Sequence, residues 1–207
     1  MTGREDKIIK ITTTGQGSNQ RTEESEREKV SRLLQRKLGK KELSWRVGTR
    51  GMIGFLTTGK AAELANETFG PRGWRSTVRS IAVDYVEQGP ETKTWNSAAS
   101  AVVRVDLSPD HGGSFHEDVG YGVAEGKPTK TIALECARKT AASDALKRAL
   151  RLFGNWLGNS AYSDSHLRAI REEIDREAMR VASADTLASP CLYNGAGSSC
   201  KHFHPVT

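Results

Sequence analysis

"SAASAVVRVDL", residues 97–107, sets Ala101, Val103, Val105 and Leu107 in alternation with Ser100, Val102, Arg104 and Asp106. A period of two over that length is a strand whose successive side chains point to opposite faces. "SPDHGG" (108–113) follows, a turn by composition. Next comes "SFHEDVGYGV" (114–123), which places Phe115, Val119, Tyr121 and Val123 on one face and His116 and Asp118 on the other. Upstream, "WRSTVRSIAVDYVEQ" (74–88) is also strand-like, with Ile81, Val83 and Tyr85 expected to share a face. Three consecutive strands with short connections imply an antiparallel meander.

Helical spacing surrounds it. Val30, Leu33, Leu34 and Leu38 predict a helix from Ser25 that Gly39 ends. "SWRVGTRGMIGFLTTG" (44–59) reads as irregular and Gly-rich. Thr57 or Thr58 then caps a second helix that stops at Gly70 and Pro71. A long helix is expected from about Thr131 to Phe153, its apolar stripe running through Leu146, Leu150, Phe153 and Leu157. A last helix carries Leu167, Ile170, Ile174 and Met179. The expected architecture is α+β: a meander packed on a long helix, with flanking helices. The expected division is a disordered polar tail at 1–24, one domain at 25–182 and a flexible tail at 183–207.

Composition narrows the class. Across 207 residues the hydrophobic fraction is 36% and the charged fraction 27%. No apolar run approaches a membrane span. The N-terminus lacks the apolar core of a secretory signal, and Glu5 and Asp6 argue against a transit peptide, so an intracellular protein is expected. Cys136, Cys191 and Cys200 do not make a disulfide framework. A net charge of +6 favours polyanionic partners, and its placement matters more than its size.

That placement is "ARKTAASDALKRALRLFGN" (137–155). On a helix Lys147 and Arg151 are one turn apart and Arg148 joins them, while Leu146 and Leu150 sit on the buried stripe. A rigid row of cations matches the repeat of phosphates along a strand. The alternative is a solvated face in which Asp144 pairs with Lys147 and Arg148.

"HEDVGYGVAEG" (116–126) followed by "LECARKTAASDALKRALRLFGNWLGNSAYS" (134–163) closely resembles the Rad-fifty-two family of eukaryotic single-strand annealing proteins. "LLQRKLGKKELSWRVG", "AAELANETFGPRGW" and "AVVRVDL" resemble the same family in the same order, so the likeness covers about residues 30–170. The resemblance implies a nuclear, non-enzymatic domain that binds single-stranded DNA and anneals complementary strands in homologous recombination and double-strand break repair. It implies copies assembled side by side into a closed ring of about ten or eleven subunits. A strand-exchange recombinase and a single-strand binding protein are the implied partners; no cofactor, metal or membrane is. The implied inner groove carries Lys147, Arg148, Arg151 and Lys60, with Arg72 beside Pro71 where the family usually has Tyr. An implied outer site falls on Lys93 in the strand hairpin and on Lys127 and Lys130, which flank Pro128 where the family has lysine.

Other candidates have simpler readings. His116 and Asp118 could serve a metal-dependent nuclease, but Glu117 points to the opposite face and no further carboxylate is nominated. Gly120 and Gly122 lack the context of a phosphate loop and instead suggest close packing of a neighbouring helix or subunit, or a bulge. Cys191, Cys200, His202 and His204 match no common zinc spacing. Trp45, Trp74, Trp95 and Trp156 are scattered and read as packing residues.

Overall fold

Two glycines and a row of alanines decide how the layers meet. In the computed structural model, which describes residues 16–48 and 51–187 and the side chains of 26–48 and 51–181, the meander is a sheet of β3 (Trp74–Gln88), β4 (Trp95–Leu107) and β5 (Phe115–Lys127). Its strand order is β3-β4-β5, antiparallel throughout. Helix α3 (Lys130–Arg151) lies across one face. Ala99, Ala101, Val103, Val105 and Leu107 of β4 are buried, as their alternation predicts. Facing them on α3, Ala133, Ala137, Ala141, Ala145 and Ala149 recur every fourth residue and are fully buried.

β5 meets α3 through the face that carries His116, Asp118, Gly120 and Gly122. A Cβ on Gly120 would stand 2.1 Å from the Ala145 nitrogen, and one on Gly122 2.1 Å from the Ala137 oxygen. Glycine here removes the atom that would hold the helix backbone away. The opposite face, with Phe115, Val119, Tyr121 and Val123, is exposed.

In β3 the expected grouping changes. Register shifts fall between Val78 and Ser80 and between Val83 and Tyr85. Ile81 and Val83 pair with Ala101 and Ala99 on the α3 side, whereas Tyr85 pairs with Ala98 and so joins the other face. A bulge inserts one residue and reverses the alternation beyond it.

The remaining elements also depart in part from expectation. Helix α1 runs Gln16–Gln35, starting nine residues before Ser25 and ending ahead of Gly39. Residues 16–24 carry no apolar periodicity, but Gln, Arg and Glu are good helix formers and extend the turn pattern. The Gly-rich stretch at 44–59 forms a hairpin, β1 (Ser44–Gly48) with β2 (Gly51–Phe55), in which Trp45 opposes Gly54. A Cβ on Gly54 would come within 3.0 Å of the Trp45 ring, so glycine seats the indole. Helix α2 (Thr58–Phe69) is capped by Thr57, whose hydroxyl accepts from the Lys60 N–H at 3.2 Å. Thr129 caps α3 in the same way through Ile132. Helix α3 stops at Arg151, two residues early, and Phe153 lies in the turn that follows. Helix α4 spans Asp164–Leu187. Contacts divide the chain into a unit ending at Arg168, which holds the sheet, and another beginning at Ala169. Among the described residues no helix is long and apolar enough to cross a membrane.

Candidate nucleic-acid interface

Burial of Ala145, Ala149 and Leu150 fixes the rotation of the last turns of α3. Lys147, Arg148 and Arg151 are thereby held on a side of the helix that stays accessible. Arg148 donates from Nε and Nη2 to Asp118 Oδ1 at 3.3 and 3.2 Å. Arg151 Nη2 stands 3.8 Å from Asp118 Oδ2. One carboxylate on β5 is therefore shared by two guanidinium groups. Burial works against the charge of Arg148, but the attraction and hydrogen bonds of Asp118 outweigh it and hold its pKa above the ordinary arginine value. Asp144 does not form the pairing that a solvated face would need; Arg148 turns to Asp118, and Asp144 accepts the Tyr121 N–H at 3.4 Å.

Lys147 and Arg151 line a cleft of about 310 Å³ with Arg46, Phe55, Asp144 and Tyr162. A second cleft of about 460 Å³ shares Arg46, Asp144 and Lys147 and adds Tyr121 and Lys139. Shared walls make these two stretches of one groove between the β1–β2 hairpin and α3. Arg46 is the cation that sequence reasoning missed. It sits in a Gly-rich stretch without periodicity, and only the hairpin brings it opposite Lys147. Its guanidinium lies 5.4 Å from the Phe55 ring centre, and that of Arg151 lies 4.1 Å from the Tyr162 ring centre. Both are restrained by aromatic faces without losing their charge.

The other candidates are placed as follows. Lys60 is in the first turn of α2, its Nζ 2.8 Å from Glu63 Oε1; that hydrogen bond holds the ammonium above its ordinary pKa. Arg72 lines a separate cleft of about 350 Å³ with Trp74, Arg75 and Asp106. Neither Lys60 nor Arg72 is among the described residues lining the Arg46–Lys147 groove. Lys93, Lys127 and Lys130 gather at one end of the sheet around Trp95. Lys127 pairs with Trp95 in register, Lys130 Nζ lies 5.7 Å from its ring centre, and Lys93 adopts φ 54° in the β3–β4 turn. Of the three, Lys130 is the one placed over the Trp95 ring.

His116 and Asp118 do share a face, but their surroundings are structural. The His116 ring meets Phe153 edge-on at 4.5 Å, and both Asp118 oxygens face guanidinium groups. Among the described residues no three His, Cys, Asp or Glu side chains converge as metal ligands. Cys191, Cys200, His202 and His204 lie outside the described residues. Of the other tryptophans, Trp156 is buried with Arg36 over its ring at 4.4 Å, and Trp74 donates to Asn66 at 2.8 Å.

Comparison with known proteins adds a family. The model described as "Rad52/22 family double-strand break repair protein" matches residues 26–178. The fission yeast Schizosaccharomyces pombe protein named DNA repair and recombination protein rti1 is 44% identical over 156 residues, covering 75% of this chain and 41% of the relative. The Neurospora crassa protein mus-11, of the same description, is 43% identical over 138 residues, covering 66% of this chain and 22% of the relative. Saccharomyces cerevisiae RAD52 is 38% identical over 144 residues, covering 69% of this chain and 30% of the relative. The chain therefore spans less than half the length of these relatives. With the matched region enclosing the whole meander, α3 and the groove, the chain belongs to the Rad52/22 family of double-strand break repair proteins.

Proposed function

We propose that this chain binds single-stranded DNA along the groove between the β1–β2 hairpin and α3, and anneals complementary strands in homologous recombination and double-strand break repair. One observation carries the reading: Lys147 and Arg151 on a packed helix line, with Arg46 of the hairpin, a groove walled by Phe55 and Tyr162, and Arg148 is held beside Arg151 by the Asp118 they share. Cations fixed on a rigid scaffold neutralise phosphates without reading bases, so sequence is left to base pairing. No bond is made or broken in that task, and the protein acts as a non-enzymatic scaffold.

The chain works as a homo-oligomeric ring of about ten or eleven copies, so that short grooves join into a long track. The exposed apolar residues Phe115, Val119, Tyr121 and Val123 on β5, and Val78 and Ile81 on β3, support self-assembly because a neighbouring copy would remove them from water. Lys60 and Arg72 extend the inner path. Lys93, Lys127 and Lys130 around Trp95 form a second, outer DNA site. Nuclear residence and contacts with a strand-exchange recombinase and a single-strand binding protein complete the proposal.

Annealing of two labelled complementary oligonucleotides tests it. The wild-type protein accelerates duplex formation and leaves strand length unchanged with magnesium or manganese present. Loss of annealing in a Lys147→Glu, Arg148→Glu, Arg151→Glu triple variant that still forms rings supports the groove. Annealing that persists in that variant, or shortened strands, overturns it.

A further inference from the structure

Asp144 lines the groove itself, while Asp118, on the inward face of the sheet, is the acid that ion-pairs with both Arg148 and Arg151, and the annealing function leaves it without a role. Its Oδ1 accepts from its neighbour, the Val119 N–H, at 2.7 Å and from Arg148 Nε and Nη2 at 3.3 and 3.2 Å. Its Oδ2 reaches Arg151 only at 3.8 Å, and Arg151 Nε is buried without a hydrogen-bond partner. The two arginines are unequally committed: Arg148 holds the carboxylate with two hydrogen bonds, while Arg151 keeps an unfilled donor beside a stacked Tyr162. A phosphate entering the groove meets Arg151, which lines it and is held by Asp118 only at 3.8 Å, while Arg148 beside it is tied to the same carboxylate by two hydrogen bonds.

The geometry points to Asp118 as an internal counter-ion that competes with DNA phosphate for Arg148, leaving Arg151 as the principal phosphate contact of the pair. This rests on the single-strand reading above. A carboxylate and a phosphate oxygen ask for the same donors. In the free protein Asp118 offsets the repulsion of two neighbouring guanidinium groups; with DNA bound, it lowers the net attraction of the groove. The consequence is moderated affinity, which suits a protein that has to release strands once they pair.

Fluorescence anisotropy of a labelled oligo-dT over a salt series provides the test. Asp118→Asn keeps the side-chain shape and an acceptor for the Val119 N–H while removing the charge. It is expected to tighten binding by roughly three- to tenfold and to steepen the logarithmic salt dependence by about 0.7, as one more phosphate is neutralised. Glu26→Gln, at an exposed pair with Lys29 on α1, measures the effect of one added net charge alone. In the wild-type background Arg151→Ala weakens binding more than Arg148→Ala, and in the Asp118→Asn background the Arg148→Ala loss grows to match. The first comparison needs no change at Asp118 and holds even if that variant melts early. Binding by Asp118→Asn equal to or weaker than by Glu26→Gln overturns the proposal, as does an Arg148→Ala loss equal to or larger than that of Arg151→Ala in the wild-type background. A wild-type protein that fails to bind oligo-dT at all overturns the single-strand reading itself.

Discussion

Gly120 of β5 lies directly beneath Ala145 of α3, so close that a Cβ on the glycine would fall 2.1 Å from the alanine's backbone nitrogen. The cationic turn that follows Ala145 is positioned by that contact. Gly120→Val therefore has to push the helix backbone away from the sheet rather than rotate a flexible side chain. A stability loss of about 3 kcal/mol is expected from such overpacking. Thermal or urea unfolding of Gly120→Val against Gly59→Ala, where an added Cβ meets nothing within 4 Å, measures it. Equal stability of the two variants would mean that the sheet and α3 are not seated this closely.

Arg46 is expected to matter to DNA binding although it lies far from α3 in sequence. Arg46→Ala removes the cation facing Lys147 across the groove and should reduce the logarithmic salt dependence of oligo-dT binding by about 0.7, the contribution of one phosphate contact on a single strand. The unfolding midpoint should move little, since Arg46 is exposed and lies over the Phe55 ring at 5.4 Å. An unchanged salt dependence would remove the hairpin from the interface.

Much of this was legible in the residue order, and the failures have physical causes. Ala101, Val103, Val105 and Leu107 announce β4 because hydropathy alternates cleanly there. The buried face of β5 lacks that alternation, yet Gly120 and Gly122 are readable as sites of close packing, and α3 packs there. Tyr85 changes face because a bulge adds a residue that no local pattern marks. Lys147, Arg148 and Arg151 are readable as one cluster since helical spacing alone brings them together. Arg46 is not readable, because its place in the groove depends on a hairpin whose glycines look like a loop. The gathering of Lys93, Lys127 and Lys130 around Trp95 likewise depends on strand pairing.

At that end of the sheet, Trp95→Ala should weaken binding of a second strand to preformed protein–DNA complexes more than it weakens first-strand binding. Lys130 lies over the indole, and Trp95 pairs with Lys127 in the strand register. Two-colour anisotropy with sequential strands reads the two steps separately. Equal losses in both steps would speak against a distinct outer site.

Acid stability carries a further expectation. The Arg104 hydrogen bond, with help from Arg75, holds the Asp106 carboxyl below its ordinary pKa of 3.8. A carboxylate lowered in the folded state contributes stability above its unfolded pKa and loses it as pH falls through the folded value. Asp106→Asn should therefore lower the melting temperature modestly at neutral pH and flatten its fall below about pH 4, since this half-buried pair contributes only while the carboxylate is ionised. An identical acid limb in both proteins would show that the Arg104 contact is not kept in solution.

The most direct measurement is the affinity of ring-forming wild type and of the Lys147→Glu, Arg148→Glu, Arg151→Glu variant for a labelled single strand between low and physiological salt. Wild-type affinity should fall steeply with salt, and the variant should bind weakly at every concentration with a nearly flat dependence. A variant that assembles normally and follows the wild-type salt curve would place the DNA somewhere other than this groove.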